Sequence, residues 1–216
     1  MKEALNIFHE IEKKDKWKEN SLQRILKKYP KDGKGLYRHD ELVSAYNKLR
    51  KDGILEKNKK IEERIKMKPT RTQSGVATIT VLMKPYPCPG QCIFCPDEPN
   101  MPKSYISSEP GAQRAFSHNF DPYDQTRYRI EALQNIGHST DKIELIVLGG
   151  TCSTYPFKYQ IWFVKRCFDA INSFNKSYKV NNIKEKDITW GDLEKVQKFN
   201  ETATYRNVGL VFETRP

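Results

Sequence analysis

The sequence predicts an α/β fold, the front part of a parallel β/α barrel or doubly wound sheet, preceded by a small basic helical module. Three observations carry this reading. "VATITVLM" (Val76 to Met83) is rich in β-branched residues, "KIELIVLGGT" is a continuous apolar run closed by two glycines, and "VGLVFETRP" is a third strand-like stretch. Helical sequence separates each pair, as parallel neighbours require.

The elements follow in order. Leu5, Phe8 and Ile11, then Leu22, Ile25 and Leu26, recur at helical spacing before Pro30 stops the chain. "KDGKGLY" is a turn. A second amphipathic helix runs from about Asp40 through Leu42, Val43, Tyr46 and Leu49 to Gly53, and "LEKNKKIEERIKMK" reads as a basic helical or extended linker. Residues 1–70 form this module and residues 71–216 the α/β part. After the first strand comes "DEPNMPKSYISSEPGAQRA", a loop long enough to suggest function. "DPYDQTRYRIEALQNIG" has Asp121 as N-cap, Pro122 at the first helical position, Ile130, Leu133 and Ile136 on one face and Gly137 as the stop. "KIELIVL" has the unbroken apolar pattern of a strand buried on both faces. "YQIWFVKRCFDAINSF" is a helix, "NKSYKVNNIKEKD" a polar insertion and "GDLEKVQKFNETA" a helix leading to the last strand. Three parallel strands cannot close a barrel, so the chain reads as part of a longer protein.

With 216 residues, 37% hydrophobic and 30% charged, the composition is that of a soluble protein of one or two domains. No membrane association is expected: the longest apolar runs, such as Ile143 to Leu148, fall far short of the roughly 20 residues that span a bilayer, and the N-terminus has no apolar signal region. A cytoplasmic location is the expectation. The net charge is +11, and residues 1–70 hold 20 Lys and Arg against 12 Asp and Glu, so most of the excess lies at the front. Such a segment either attracts a polyanion, with strongly salt-dependent binding, or is a solvated lysine-rich surface.

Five cysteines, an odd number without a signal peptide, argue against a secreted disulfide framework. Three of them, Cys88, Cys92 and Cys95, lie within eight residues just after the first strand. A structural zinc site would need a fourth ligand; His118, His138 or Cys152 could supply it, though none stands at zinc-finger spacing. Thiolates also suit iron-sulfur clusters, and a cubane held by three leaves one iron open. An inert turn is the third reading. The C-x3-C-x2-C spacing at the end of a first α/β strand resembles that of radical S-adenosylmethionine enzymes, in which the open iron chelates the cofactor.

The resemblance extends beyond the triplet. "RTQSGVATITVLMKPYPCPGQCIFCP", "SYISSEP", "RA", "DPYDQTRYRIEALQNIGHSTDKIELIVLGGT" and "NETATYRNVGLVFETRP" together resemble the catalytic subunit of Elongator and its archaeal and bacterial relatives, closely over about residues 70–216 and loosely before. The resemblance implies a partial radical SAM β/α barrel with a 4Fe-4S cluster and S-adenosylmethionine, tRNA as partner and acetyl-CoA as acyl donor. It further implies carboxymethylation at C5 of the wobble uridine, through hydrogen abstraction from the acetyl methyl by a 5'-deoxyadenosyl radical. The x3 spacing of the first two cysteines departs from the wider eukaryotic spacing and is nearer prokaryotic forms. The remaining barrel strands and the acetyltransferase domain have no counterpart here, so turnover is not expected of this chain alone. A different radical enzyme would keep the triplet and glycines but not "SYISSEP" with "DPYDQTRYR"; a zinc-stabilised nucleic-acid binder is the non-enzyme alternative.

Under this resemblance Cys88, Cys92 and Cys95 are the cluster ligands, with Pro89 and Gly90 letting the loop wrap closely. Gly149 and Gly150, by themselves a tight turn, become the backbone that approaches the methionine part of the cofactor, with Thr151 adding a hydroxyl. Glu213 contacts the cofactor or orders the site, or else pairs with Arg215. Lys84 meets an anionic ligand or is solvated. Tyr105, Glu109 and Arg114 match the family without an assigned role. Cys167, on a helix face with Val164 and Ile171, reads as a small buried hydrophobe, Cys152 as either kind, and Trp17, Trp162 and Trp190 as packing residues.

Overall fold

A computed structural model describes residues 2–90 and 92–214. The chain forms two compact units, residues 1–73 with 132–139, and residues 74–131 with 140–216.

The first unit is built on four helices: α1 (Lys2–Lys13), α2 (Ser21–Lys28), α3 (His39–Lys51) and α4 (Lys59–Ile65). Ile7, Phe8, Ile11, Ile25, Leu42, Tyr46, Leu49, Ile61 and Ile65 make one buried cluster, so the helical spacings seen in the sequence each face a common core. The chain breaks between α1 and α2, where the Arg64 guanidinium donates to the carbonyls of Ile11 (2.7 Å) and Lys14 (2.6 Å) and lies 4.4 Å over the Trp17 ring. These carbonyls lack helical partners, and a fixed cation satisfies them. The stretch 55–68, read above as a basic helical or extended linker, is helical in part and packs into the core. It contains α4, whose first N–H groups, from Lys60 and Ile61, are capped by Asn58 Oδ1 at 3.0 and 3.3 Å. Two isoleucines four apart suffice to dock it, although the surrounding lysines hide the signal. His138 belongs to this unit: Nε2 donates to the Met67 carbonyl at 2.8 Å, which leaves Nδ1 to accept from Thr72 Oγ1 at 2.8 Å.

The second unit carries a three-stranded parallel sheet in the order β1 (Ala77–Leu82), β2 (Lys142–Leu148), β3 (Arg206–Phe212). Consecutive, all-parallel neighbours are the arrangement of successive strands in a β/α barrel, the α/β class that the sequence predicts. β1 and β2 pair without a break from Ala77↔Ile143 to Leu82↔Leu148, whereas a bulge at Val208 shifts the β2–β3 register after Ile143.

β2 is not buried evenly on both faces, contrary to the sequence expectation, because Lys142 and Glu144 fall on one of them. Ile143, Leu145 and Val147 are fully buried beside Ala77, Ile79 and Val81; Glu144, Ile146 and Leu148 on the other face are only half-buried. That second face is covered at its carboxyl end, where Leu82 and Leu148 meet Met101, Tyr105, Ala112, Ala115 and Phe120. The long loop is therefore partly structured. It contains α5 (Pro110–Ser117), which the proline-rich texture concealed.

α6 (Pro122–Asn135) begins as the sequence predicts, with Asp121 Oδ1 accepting from the Asp124 N–H at 2.9 Å. α7 (Phe157–Asn172) and α8 (Trp190–Asn200) pack Ile161, Val164 and Phe168 against Ile188, Leu193 and Val196, with Leu210 of β3 alongside. The polar insertion between them is tied down, since Trp162 Nε1 donates to the Ile183 carbonyl at 3.1 Å. Among the described residues no helix is long and apolar enough to cross a membrane.

Candidate functional site

The three cysteines leave the carboxyl end of β1 on a loop rich in proline and glycine. Cys88 and Cys95 are half-buried and Cys92 is exposed; none of the three forms a disulfide. A Cβ built on Gly90 would lie 3.5 Å from Cys88 Sγ and 3.8 Å from Cys92 Sγ, so those two sulfurs flank the one residue between them that adds no side chain. The Cys95 N–H donates to the Cys92 carbonyl at 3.1 Å, which closes a turn between the second and third cysteines. Gln91 lies outside the described residues, and among these no three His, Cys, Asp or Glu side chains are assembled as a ready-made ligand set. The donor chemistry still fits a thiophilic metal group: three thiols outside any disulfide, on a short loop at a strand's carboxyl end.

Two neighbouring segments close on this loop. Cys88 Sγ is 3.6 Å from Thr151 Oγ1, and Cys95 Sγ is 2.9 Å from Ser104 Oγ. Gly150 sits against Lys103, whose carbonyl would be 3.3 Å from an added Cβ. The Lys103 ammonium is 2.6 Å from Asp97, which holds its pKa above the usual lysine value.

Glu213 follows β3 and reaches across to the turn after β2. Its Oε2 accepts from the Gly149 N–H at 3.2 Å, the Gly150 N–H at 3.4 Å and the Tyr105 hydroxyl at 2.5 Å. Its backbone is fixed at both ends, the N–H donating to the Val147 carbonyl at 2.9 Å and the carbonyl accepting from the Cys152 N–H at 3.3 Å. Burial, and then the carboxylate, push the Tyr105 pKa well up, so the hydroxyl remains a donor. Arg215 lies outside the described residues.

Tyr155 braces the same turn from beneath. Its hydroxyl lies 2.7 Å from the Lys84 carbonyl and 3.0 Å from that of Gly149, and its ring stacks between Tyr86 (4.8 Å) and Tyr159 (5.4 Å). Burial raises the pKa of both Tyr155 and Tyr159. Tyr159 accepts from the Lys84 N–H at 3.0 Å, while the Lys84 ammonium lies 4.3 Å from the Tyr159 ring centre and 3.4 Å from the Glu185 carboxylate.

The folded chain thus brings Gly149, Gly150, Thr151 and Glu213 together beside Cys88, and gives the Lys84 ammonium an acidic partner of its own. Cys167 is fully buried on α7 and its thiol is pushed up to about 12 by desolvation. Cys152 is buried with its pKa also raised, and His138 has both ring nitrogens engaged within the helical unit. Trp162 is a packing residue, but Trp190 is 54% exposed, against expectation, and stacks on Phe157. Sequence reading missed Ser104 and Tyr155 and found no role for Tyr105. Tyr105 stood out only as part of "SYISSEP", one of the stretches that carry the resemblance.

No protein-family model matches the chain. Among curated proteins, the tRNA uridine(34) acetyltransferase of Methanocaldococcus infernus is 42% identical, the match taking in 90% of this chain and 38% of that protein. The one from Methanocaldococcus jannaschii is 46% identical over 70% of this chain and 27% of its own length, and Elongator complex protein 3 of Bos taurus 37% identical over 71% and 27%. This chain therefore spans well under half of each. A solved structure of archaeal Methanocaldococcus infernus Elp3 with an N-terminal deletion (1-46) is 38% identical, covering 66% of this chain and 23% of that one, with a TM-score of 0.44. With 37% to 46% identity sustained along 70% to 90% of its length, the chain belongs to the family of the tRNA uridine(34) acetyltransferases and Elongator complex protein 3.

Proposed function

We propose that this chain is part of a tRNA-modifying enzyme acting on the wobble uridine, and that residues 71–216 supply the portion of a radical SAM barrel that holds its iron-sulfur cluster. The names of the relatives, tRNA uridine(34) acetyltransferases, support the tRNA uridine class. One observation carries the cluster assignment: the only three clustered thiols of the sequence lie at the carboxyl end of β1, with Cys88 Sγ 3.6 Å from the turn that Glu213 holds.

In this reading Cys88, Cys92 and Cys95 ligate a 4Fe-4S cluster. Gly149, Gly150, Thr151 and Glu213 bind S-adenosylmethionine. When bound, the pair supplies a 5'-deoxyadenosyl radical on reduction. The chain's own residues prepare the place for it. Gly90 keeps space open between two sulfurs, Glu213 fixes the Gly149–Gly150 turn, and the Tyr86–Tyr155–Tyr159 stack backs it on one side. Acetyl-CoA, as acyl donor for carboxymethylation at C5, would be bound by segments beyond this chain. The basic residues 1–70 would grip the tRNA backbone in the cytoplasm, and Lys84, if freed from Glu185, would add a further cation.

The test is anaerobic reconstitution with iron and sulfide, read by metal analysis, visible absorption and EPR of the reduced protein with and without S-adenosylmethionine. About four irons and a cofactor-dependent spectrum are expected, lost in Cys92→Ala and kept in Cys167→Ala. One tight zinc and no iron would replace this reading by a zinc-stabilised nucleic-acid module.

A further inference from the structure

The loop after the cysteines places three consecutive residues on three parts of the site. The Lys103 backbone lies against Gly150, Ser104 Oγ is 2.9 Å from Cys95 Sγ, and Tyr105 donates to Glu213 at 2.5 Å. Ser104 takes a positive φ of 79°, a conformation that costs a non-glycine residue energy and that the flanking contacts hold in place. Tyr105 also packs against the buried cluster of Leu82, Met101, Ala112 and Ala115, so its ring is anchored independently of its hydroxyl.

We propose that Tyr105 is a positioning residue: its hydroxyl holds the Glu213 carboxylate so that Oε2 stays on the Gly149 and Gly150 amides and Oε1 faces outward to receive the ammonium group of an amino-acid-bearing cofactor. The geometry supports this on three counts. One oxygen takes all three hydrogen bonds, which fixes the carboxylate plane and leaves the other oxygen with no partner among the described residues. The hydroxyl makes the shortest of the three contacts to this charged acceptor, at 2.5 Å, and so the strongest. The two glycine amides are longer, at 3.2 and 3.4 Å, and alone would hold the carboxylate loosely. The cofactor part of this inference rests on the radical SAM reading; the positioning part does not.

The experiment compares the full chain with its Tyr105→Phe and Glu213→Gln variants, first without any ligand. Amide hydrogen exchange by NMR is expected to speed up about tenfold at Gly149 and Gly150 in Tyr105→Phe, and to stay near the original rate in Glu213→Gln, whose side-chain oxygen still accepts. A rise confined to residues 97–109 would overturn the proposal, since Tyr105 would then only tie down its own loop. A rise spread evenly over the whole unit would overturn it too, because the hydroxyl would be holding the fold rather than the carboxylate. Calorimetric titration of the reconstituted chain with S-adenosylmethionine then separates the two claims. Affinity should fall about tenfold in both variants, in Tyr105→Phe by misplacement and in Glu213→Gln by lost charge. Absence of binding by the unsubstituted chain, with the exchange pattern intact, would overturn the cofactor reading and leave the positioning role standing.

Discussion

Lys165 Nζ lies 2.7 Å from Asp169 Oδ2 one turn along α7, with the two side chains only 2% and 0% exposed. The same carboxylate accepts from the Tyr178 hydroxyl at 2.5 Å and faces Arg166 at 3.5 Å, and Lys165 also donates to the Asn181 carbonyl. A buried pair is costly to break because the survivor keeps its charge. Asp169→Ala should therefore lose about 3 to 5 kcal/mol in urea unfolding, whereas the double replacement Lys165→Met with Asp169→Leu should lose far less. Equal losses would mean that packing, not the uncompensated charge, sets the cost.

Gln125 of α6 completes the outer edge of β1. Its side-chain amide accepts from the Leu82 N–H and donates to the Leu82 carbonyl, both at 2.9 Å, and so imitates a paired strand at the residue from which the cysteine loop departs. Gln125→Leu leaves both groups buried without partners, a loss of about 2 to 4 kcal/mol, and should speed exchange of the Leu82 amide before that of Leu145 in the central strand.

Gly149 combines a positive φ of 145° with no room, since an added Cβ would stand 2.9 Å from Met83 Cβ. Gly53 has φ +70° but nothing within 4 Å. Gly53→Ala should cost about 1 to 2 kcal/mol from backbone strain alone. Gly149→Ala should cost more and, on the proposed function, should also lower iron loading, measured by metal analysis at a temperature where the variant stays folded.

Thiol labelling should divide the cysteines. At pH 8 a disulfide reagent should react quickly with Cys88, Cys92 and Cys95 in the metal-free protein, and with Cys152 and Cys167 only after unfolding. Cys167 also sets an alkaline limit. Its native pKa, pushed up to about 12 by burial, exceeds that of the unfolded thiol near 8.5, so between these values the folded state binds more protons. Its contribution is complete below about pH 8.5 and is lost as pH rises toward 12. Cys167→Ala should flatten the early part of that decline, before the raised tyrosines begin to contribute above about pH 10.

Residue order alone was enough for the three strands, their parallel α/β class, the helices from Asp121 and Tyr159, the charge excess of the front segment and the identity of the clustered thiols. Each is written in local chemistry: β-branched runs, helical spacing, a capping aspartate, cysteines a few residues apart. The tertiary structure decided what depends on partners remote in the chain. α4 became part of a helical core because Ile61 and Ile65 meet residues of α1 and α3, and β2 acquired one buried face and one half-buried face that carries Lys142 and Glu144. Tyr105 and Glu213, 108 positions apart, met over the Gly149–Gly150 turn, and Gln125 found Leu82 from 43 positions away. A hydrogen bond between distant residues leaves no periodicity or spacing to read, because what creates it is the folding of the sheet that brings the ends of its strands together.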